Sequence, residues 1–163
     1  MFKKLSTFLL LVLITGFSYA FSPDWIVQHT KGKVTYTQAV KIVKAVHKHS
    51  FEQHVDPDII FKIIQTESTY DPKARGGASI GLMQIIPYWH RDKIQGRNLY
   101  NVDTNVEVGV KIFKEALEKS NGNIRKALWR YNASYKKKQY AEKVLRLKDD
   151  EIHAVIKSRY RNS

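Results

Sequence analysis

The sequence contains no cysteine, which excludes disulfide bonds, cysteine-based metal sites and a lipid anchor attached through cysteine. It also has no internal repeat and no low-complexity block. Acidic residues are scarce: 15 aspartates and glutamates stand against 28 lysines and arginines, for a formal net charge of +13. A chain this basic favours polyanionic partners such as nucleic acid, an anionic membrane surface or the acidic bacterial envelope.

Long hydrophobic runs are missing except at the amino terminus. There Lys3 and Lys4 precede an apolar stretch at 8–14, and Ser18 and Ala20 are the small side chains of a cleavage site at residues 18–20. This order is typical of a secretory signal peptide over residues 1–20. The run is shorter than the roughly 20 residues of a spanning helix, so we expect cleavage and no stable membrane anchor. We therefore predict a periplasmic or secreted protein, for which nucleic acid is not a suitable partner.

The chain that follows the signal is long enough for one domain, and the apolar content of 43% suits a globular protein. Residues 21–36 combine a proline, a glycine and a short β-prone run, so we expect an irregular arm or a brief strand there. The helical domain is predicted over residues 37–163, and its first helix begins at about Thr37. The apolar side of that helix consists of Ala39, Val40, Val43 and Val46, with Lys41, Lys44 and Lys48 opposite.

The next helix is predicted to begin at Asp56-Pro57, because aspartate caps a helix and proline suits the first helical position. Ile60, Ile63 and Ile64 give this helix an apolar face, and the spacing places Glu67 on the same face. A carboxyl in apolar surroundings has a raised pKa. A protonated carboxylic acid near neutral pH is suited to protonating the leaving oxygen of a glycosidic bond. Taken alone, a glutamate in this position is more often the solvated end of a helix.

A turn is predicted after this helix. Asp71-Pro72 should stop the helix, and the glycines at 76, 77 and 81 let the backbone approach a ligand closely. Gln84 can donate and accept hydrogen bonds, as sugar amides and hydroxyls require. Here the sequence resembles the soluble lytic transglycosylase domain, which is related to goose-type lysozyme. The matching positions are Glu67, Ser68, Tyr70, Pro72, Ala74, Gly81, Leu82, Met83, Gln84, Ile85 and Pro87.

Two later segments resemble the same family. The first matches it at Leu99, Asn105 and Gly109. It leads into a helix for which Thr104 and Glu107 form a predicted capping box and which should end at Asn121-Gly122. The apolar stripe of that helix consists of Val106, Val110, Phe113 and Leu117. The second segment lies on a helix predicted from Asn123. It matches at Ala127, Leu128, Tyr131, Asn132 and Ala133, and its inner face also includes Ile124.

The resemblance implies a mainly α, lysozyme-like fold, as a single compact helical domain with a glycan-binding cleft. It implies a lytic transglycosylase that cleaves the β-1,4 bond between N-acetylmuramic acid and N-acetylglucosamine in peptidoglycan. On this view Glu67 is the one catalytic carboxyl, and the N-acetyl group of the substrate assists it. The C6 hydroxyl of muramic acid then attacks C1 and leaves a 1,6-anhydro end. No cofactor and no metal are implied.

Substrate contacts are also implied by the matched motifs. The implied positions are Ser68, Gln84, Tyr131 and Asn132, and Ser79 is a candidate for the hydroxyl that the family carries in its glycine-rich turn. Tyr88 and Trp89 follow the motif, and their rings could stack on a sugar face. A position in the core is the alternative for Trp89. A short helix is expected to carry Gln84 and to end within residues 85–90.

Two other functions compete with the transglycosylase. A hydrolytic muramidase of the same fold would need a second carboxylate to hold water across the sugar ring, and Asp71, Asp92 and Asp103 are the candidates. Asp71 has the character of a turn residue and Asp103 that of a helix start. A non-enzymatic basic module that binds the cell envelope would leave the convergence of Gln84 and Tyr131 with the acid unexplained. A bacterial or a phage host, and association with a secretion, conjugation or flagellar machine, are left open.

The remaining features indicate structure. His47, His49 and His54 are interpreted as surface residues without a metal, because residues two apart on a helix do not face each other. Lys136-Lys137-Lys138 is interpreted as a solvated face. Two final helices are predicted at about 136–147 and 150–160. Their packing residues are Val144, Leu145, Leu147, Ile152, Val155 and Ile156.

Overall fold

The computed structural model describes residues 21–132 and 138–146, and these residues are mainly helical, which confirms the predicted fold class. The elements in chain order are α1 (Pro23–His29), α2 (Tyr36–Gln53), α3 (Pro57–Ser68), β1 (Arg75–Gly76), β2 (Ser79–Ile80), a 3₁₀ helix (Pro87–Trp89), α4 (Arg91–Ile94), α5 (Val102–Glu118), α6 (Ile124–Asn132) and α7 (138–146). Within the described ranges, none of these helices is long and apolar enough to span a bilayer. The predicted signal peptide and the predicted helix at 150–160 lie outside the described residues.

The first helix was not expected. Residues 23–29 form α1, where the composition predicts an irregular arm, so that prediction is wrong for this stretch. Ser22 caps the helix by accepting a hydrogen bond from the backbone nitrogen of Trp25 at 3.1 Å, and Pro23 occupies the first turn. Val34 is buried but belongs to no strand, since Thr35 already begins the capping box of α2. Phe21 stacks on Phe61 of α3 and ties the start of the described chain to the core.

Helix α2 packs against α1, α3 and α5, and α5 packs in turn against α6. The lysine side of α2 is exposed as predicted. His47 and His54 are also exposed, but the surface prediction is wrong for His49, of which only 3% is accessible. The Nδ1 atom of His49 lies 2.8 Å from a carboxylate oxygen of Glu52, and its Nε2 atom lies 3.0 Å from Asp103 at the start of α5. This imidazole therefore joins α2 to α5.

Helix α3 runs through the centre of the molecule. Asp56 caps it as predicted, accepting a hydrogen bond from the backbone nitrogen of Asp58 at 2.9 Å. Six consecutive residues, from Ile59 to Ile64, are buried, so the helix is covered on every side in its middle section. Thr69 ends it in a left-handed conformation. The buried Tyr70 then turns back and donates its hydroxyl to the carbonyl of Phe61 at 3.2 Å, which fixes the exit of the chain from α3.

A small hairpin follows, in which Arg75 pairs with Ile80 and Gly76 pairs with Ser79. Ile80 also forms a bridge with Ile85. The predicted short helix carrying Gln84 is wrong, because residues 81–84 form turns and Gln84 has a left-handed φ of 46°. Asn105, near the start of α5, stabilises this segment through hydrogen bonds. Its side-chain oxygen accepts from the nitrogen of Met83 at 2.9 Å, and its Nδ2 donates to the carbonyls of Leu99 at 2.8 Å and Ile80 at 3.0 Å.

Helices α5 and α6 form the later part of the described fold. Helix α5 is capped by Asn101, which accepts a hydrogen bond from the nitrogen of Thr104, so the predicted capping box of Thr104 with Glu107 is wrong. The predicted stripe is confirmed at Val106, Val110 and Phe113, which are buried, while Leu117 is partly buried. Asn123 accepts from the nitrogen of Lys126 and starts α6 as predicted. Ile124, however, is 41% exposed and is not an inner-face residue.

Candidate active site

Glu67 lies in the last turn of α3, on the face formed by the fully buried Ile60, Ile63 and Ile64. The carboxyl is therefore removed from most of the solvent. This burial raises the pKa of Glu67 above its ordinary range, and burial is the largest influence on it. The direction of the shift agrees with the prediction from helical spacing. The position supplies a carboxyl that holds its proton more firmly than a surface glutamate does.

Two groups of α7 act on Glu67 in the opposite direction. The hydroxyl of Tyr140 lies close to the carboxylate and lowers the pKa of Glu67, as does the positive charge of Lys143. This hydroxyl is buried and makes no hydrogen bond within the described part of the chain, so its proton is available to the carboxylate. Burial raises the pKa of Tyr140 well above its usual value, and so does the charge of Glu67, so the phenol remains protonated and can donate.

Tyr140 is a site residue that sequence reasoning missed. The sequence predicts the helix containing it at about 136–147, but assigns only the apolar residues Val144, Leu145 and Leu147 to its packing face. Tyr140 precedes the buried Val144 by four residues and so lies on the same side of α7. Helical spacing alone could therefore have placed its ring inward, although it gives no reason for the hydroxyl to meet Glu67.

Glu67 opens onto a cavity of about 160 Å³. Five of the six predicted site residues line it, namely Glu67, Ser79, Gln84, Tyr131 and Asn132, and the other lining residues are Ile85, Ile86, Trp89, His90 and Ile112. Ser68 does not line it, because its hydroxyl donates to the carbonyl of Ile64 within α3 at 3.1 Å. The substrate-binding roles of these residues remain predictions.

Ser79 and Gln84 form one wall of the cavity and are tied to each other. The Ser79 hydroxyl lies 2.6 Å from Oε1 of Gln84 and 2.7 Å from the carbonyl of Gly76, and its single proton can serve one acceptor at a time. Nε2 of Gln84 donates to the carbonyls of Gly81 at 2.9 Å and Ala74 at 3.3 Å. A Cβ at Gly76 would lie 2.7 Å from Oε1 of Gln84, so a larger residue there would displace the Gln84 amide. Gln84 therefore stabilises the turn through hydrogen bonds within the protein, independently of any contact with a sugar.

Tyr131 of α6 closes the cavity beside Glu67. Its hydroxyl donates to the carbonyl of Met83 at 2.8 Å, while Asn105 holds the nitrogen of the same residue. Burial raises the pKa of Tyr131 well above its usual value, and the nearby charge of Glu67 adds to the effect. The Met83 peptide is thus fixed at both its nitrogen and its carbonyl. This joins the turn to α5 and to the helix that carries Tyr131.

Tyr88 and Trp89 are 71% and 60% exposed, so the alternative in which Trp89 belongs to the core is wrong. Of the two, Trp89 lines the cavity. None of the three aspartates considered as a second carboxylate does so. Asp71 accepts from the nitrogen of Lys73, and Asp92 pairs with Lys93 at 2.9 Å. Among the described residues, Glu67 is the one carboxylate that lines this cavity.

One group of side chains has the composition of a metal site. Ligand atoms of His49, Asp103 and Glu107 lie within 4.8 Å of one another. Each is already paired: His49 lies between two carboxylates, and Glu107 contacts Arg97 and Lys111 at 2.6 Å each. These hydrogen bonds and charges lower the pKa of Glu107 to about 2. Each group therefore already has partners within the protein, and the cluster is better described as a network of hydrogen bonds and ion pairs that joins α2 to α5.

The helical fold and the cavity with Glu67 can now be compared with known protein families. The model of the transglycosylase SLT domain matches residues 44–153, and the chain belongs to this family. The resemblance noted in the sequence is confirmed, and with it the lysozyme-like fold. One relative is a protein named "Transglycosylase" from Enterobacteria phage PRD1, 29% identical over 105 residues. The match covers 60% of this chain and 39% of the phage protein, so the chain spans about two fifths of that relative's length.

Proposed function

We propose that the protein is a lytic transglycosylase that cleaves the β-1,4 bond between N-acetylmuramic acid and N-acetylglucosamine in peptidoglycan. The observation that carries this proposal is Glu67, whose pKa is raised by burial and which is the one carboxylate lining the cavity among the described residues. Membership of the SLT family supports the same reaction. The whole chain has a formal charge of +13, and the acidic bacterial envelope, to which the predicted signal peptide would direct it, is a suitable location.

The reaction begins with the protonated Glu67. Its carboxyl gives the proton to the glycosidic oxygen, and the bond between that oxygen and C1 of muramic acid breaks. The N-acetyl group of the same sugar stabilises the positive charge that develops at C1. Glu67, now a carboxylate, accepts the proton of the C6 hydroxyl as that oxygen bonds to C1. The products are a free 4-hydroxyl and a 1,6-anhydromuramic end, and Glu67 is protonated again.

The two tyrosines support Glu67 in this cycle. Glu67 must be protonated in the first step and ionised in the second, so its pKa has to lie within reach of the working pH. Burial stabilises the protonated form, while Tyr140 and Lys143 stabilise the carboxylate that follows. Tyr131 anchors the Met83 carbonyl and keeps the opposite wall in place. The opposed influences on Glu67 are what a group that both gives and takes a proton requires.

The competing muramidase needs a carboxylate to activate water, and the positions of Asp71, Asp92 and Asp103 do not favour it. Without such a base, the C6 hydroxyl is the best-placed nucleophile, because it is held within the substrate at high effective concentration. We expect purified peptidoglycan digested by the protein to yield muropeptides lighter by one water than hydrolytic products. Mass spectrometry of the digest is the test.

Matched variants complete the experiment. Glu67→Gln keeps the shape of the side chain but has no proton to give, so activity should fall by the roughly 10²–10⁴-fold typical of lost general acid–base catalysis. Asp71→Asn, Asp92→Asn and Asp103→Asn should each retain most of the activity. Muropeptides with reducing muramic ends as the main product, or an aspartate variant as inactive as Glu67→Gln, would establish the muramidase instead.

A further inference from the structure

The 3₁₀ helix at Pro87–Trp89 presents two exposed aromatic rings side by side in sequence. Their surroundings differ. The guanidinium of Arg91 lies 4.9 Å from the centre of the Tyr88 ring, so one face of that ring is already covered by a cation. Trp89 has no ring contact within the described ranges, and it lines the cavity that contains Glu67. The indole therefore offers an open apolar surface inside the site.

His90 lies next to Trp89 on the same wall. It is half-buried and lines the cavity, and its ring nitrogens have no hydrogen-bond partner in residues 21–132 and 138–146. Burial is the main cause that lowers the pKa of His90; Lys93 adds to it, while Asp92 and Glu115 oppose it. At neutral pH the imidazole is therefore uncharged, with one nitrogen that donates and one that accepts a hydrogen bond.

We propose that Trp89 and His90 form a subsite for an N-acetylated hexosamine beside Glu67. The indole stacks on the apolar face of the pyranose ring, and the imidazole hydrogen-bonds to a hydroxyl or to the amide of the acetyl group. Ile86 and Ile112 line the same cavity and provide apolar surface for the acetyl methyl group. This combination of an apolar wall with a few polar groups is typical of a ligand site. The inference deepens the proposed function, on which it rests.

The test uses binding without turnover. In the Glu67→Gln background, the dissociation constant for a soluble N-acetylglucosamine oligosaccharide is measured by calorimetry. Adding Trp89→Ala should weaken binding about tenfold, and His90→Ala by a factor of roughly 3–10, as expected for one lost stacking contact and one lost hydrogen bond. Trp89→Phe keeps a stacking ring and should recover most of the affinity.

Tyr88→Ala is the matched control, because Tyr88 belongs to the same 3₁₀ helix and is even more exposed, but does not line the cavity. It should change the dissociation constant by less than about twofold, since a surface ring outside a site contributes little. Both aromatic side chains are exposed, so thermal unfolding should be unchanged in either variant. Equal effects of Trp89→Ala and Tyr88→Ala, or no saturable binding by the parent, would overturn the subsite.

A second measurement separates failure of the subsite from failure of the proposed function. With Glu67 intact, Trp89→Ala should raise KM for peptidoglycan about tenfold and leave kcat within about threefold, because a stacking contact binds substrate and transition state alike. If wild-type protein cleaves peptidoglycan but the Trp89 and Tyr88 variants behave alike, the subsite is wrong and the transglycosylase stands. If the wild-type protein cleaves no peptidoglycan, but Trp89→Ala and His90→Ala weaken oligosaccharide binding and Tyr88→Ala does not, the subsite is supported and the transglycosylase is wrong.

Discussion

At the scale of single residues, Glu67 is the group whose charge state links stability to pH. Its pKa is raised in the folded protein, so the folded state binds this proton more tightly than the unfolded chain does. The stabilisation is therefore fully present below the pKa of an unfolded glutamate. It is lost as the pH rises through the higher pKa of the folded state.

Glu67→Gln should for this reason be more stable than the wild type at neutral and alkaline pH, because the amide never ionises. The difference should shrink as the pH falls and should vanish in acid, where Glu67 is protonated in both states. Thermal unfolding of both proteins over a pH series measures it. Asp71→Asn, an exposed position, is the control. A constant difference at all pH values would contradict the assigned direction of the shift.

Tyr140 gives a second prediction at this scale. Tyr140→Phe keeps the buried ring but removes the hydroxyl that lowers the pKa of Glu67. The pKa of Glu67 should rise further, and the alkaline limb of the pH–kcat/KM profile should move to higher pH. Replacing Lys143 with Met should move it in the same direction. Tyr100→Phe, at an exposed tyrosine outside the cavity, should leave the profile in place. An unmoved limb in Tyr140→Phe would show that Tyr140 only packs.

At the scale of elements, the segment after the hairpin depends on α5 for its conformation. Asn105 is almost completely buried and makes three hydrogen bonds to backbone groups of that segment and of the loop before α5. A Cβ at Gly81 would collide with the Asn105 amide, and one at Gly109 would collide with the Met83 side chain. The turn therefore fits α5 only with both glycines in place.

Asn105→Ala should lower the free energy of unfolding by roughly 2–5 kcal/mol, because it leaves buried backbone groups without partners. Activity should fall as well, since Asn105 and Tyr131 together fix Met83, the residue that precedes Gln84 of the cavity wall. Chemical denaturation and peptidoglycan turnover measure the two effects. Thr104→Ala is the matched control on the same helix: its side chain makes no hydrogen bond within the described residues, and it should cost less than about 0.5 kcal/mol. Equal losses in both variants would contradict the anchoring role.

The elements also show where sequence reasoning succeeds. Asp56-Pro57 predicts the start of α3, and isoleucine spacing predicts the side of the helix on which Glu67 lies, because both signals act within a few residues. The turn at 81–84 could not be predicted in this way. The turn that contains the left-handed Gln84 is held through Met83 and Ile80 by Asn105, which lies some twenty residues further along the chain. His49 was likewise misjudged, because its partner Asp103 lies on another helix.

At the scale of the whole molecule, the start of the described chain belongs to the core. Phe21 is 4% exposed and stacks on Phe61 with ring centres 4.9 Å apart. We predict cleavage of the signal peptide after residue 20, so the mature protein should keep this aromatic residue as its first. Amino-terminal sequencing of protein from the periplasm or the medium measures it. Membrane-bound protein that retains Lys3 and Lys4 would favour an anchor instead.

A substitution tests the packing itself. Phe21→Ala should destabilise the protein by roughly 3–5 kcal/mol, as loss of a buried phenylalanine does. Ser22→Ala should cost only about 1 kcal/mol, because it removes the cap of α1 and leaves the core intact. Chemical denaturation of the two variants measures the loss in the free energy of unfolding for each. A smaller loss for Phe21→Ala than for Ser22→Ala would contradict the packing of Phe21 in the core.

The burial of α3 along six consecutive residues also indicates which wall of the cavity is the more rigid. Local opening of this helix would expose the centre of the protein, so its backbone amides should exchange with solvent only through global unfolding. The opposite wall contains the exposed ring of Trp89 on a single short 3₁₀ turn, an element with few buried contacts. We therefore expect adjustment to a bound glycan in that turn rather than in the buried middle section of α3.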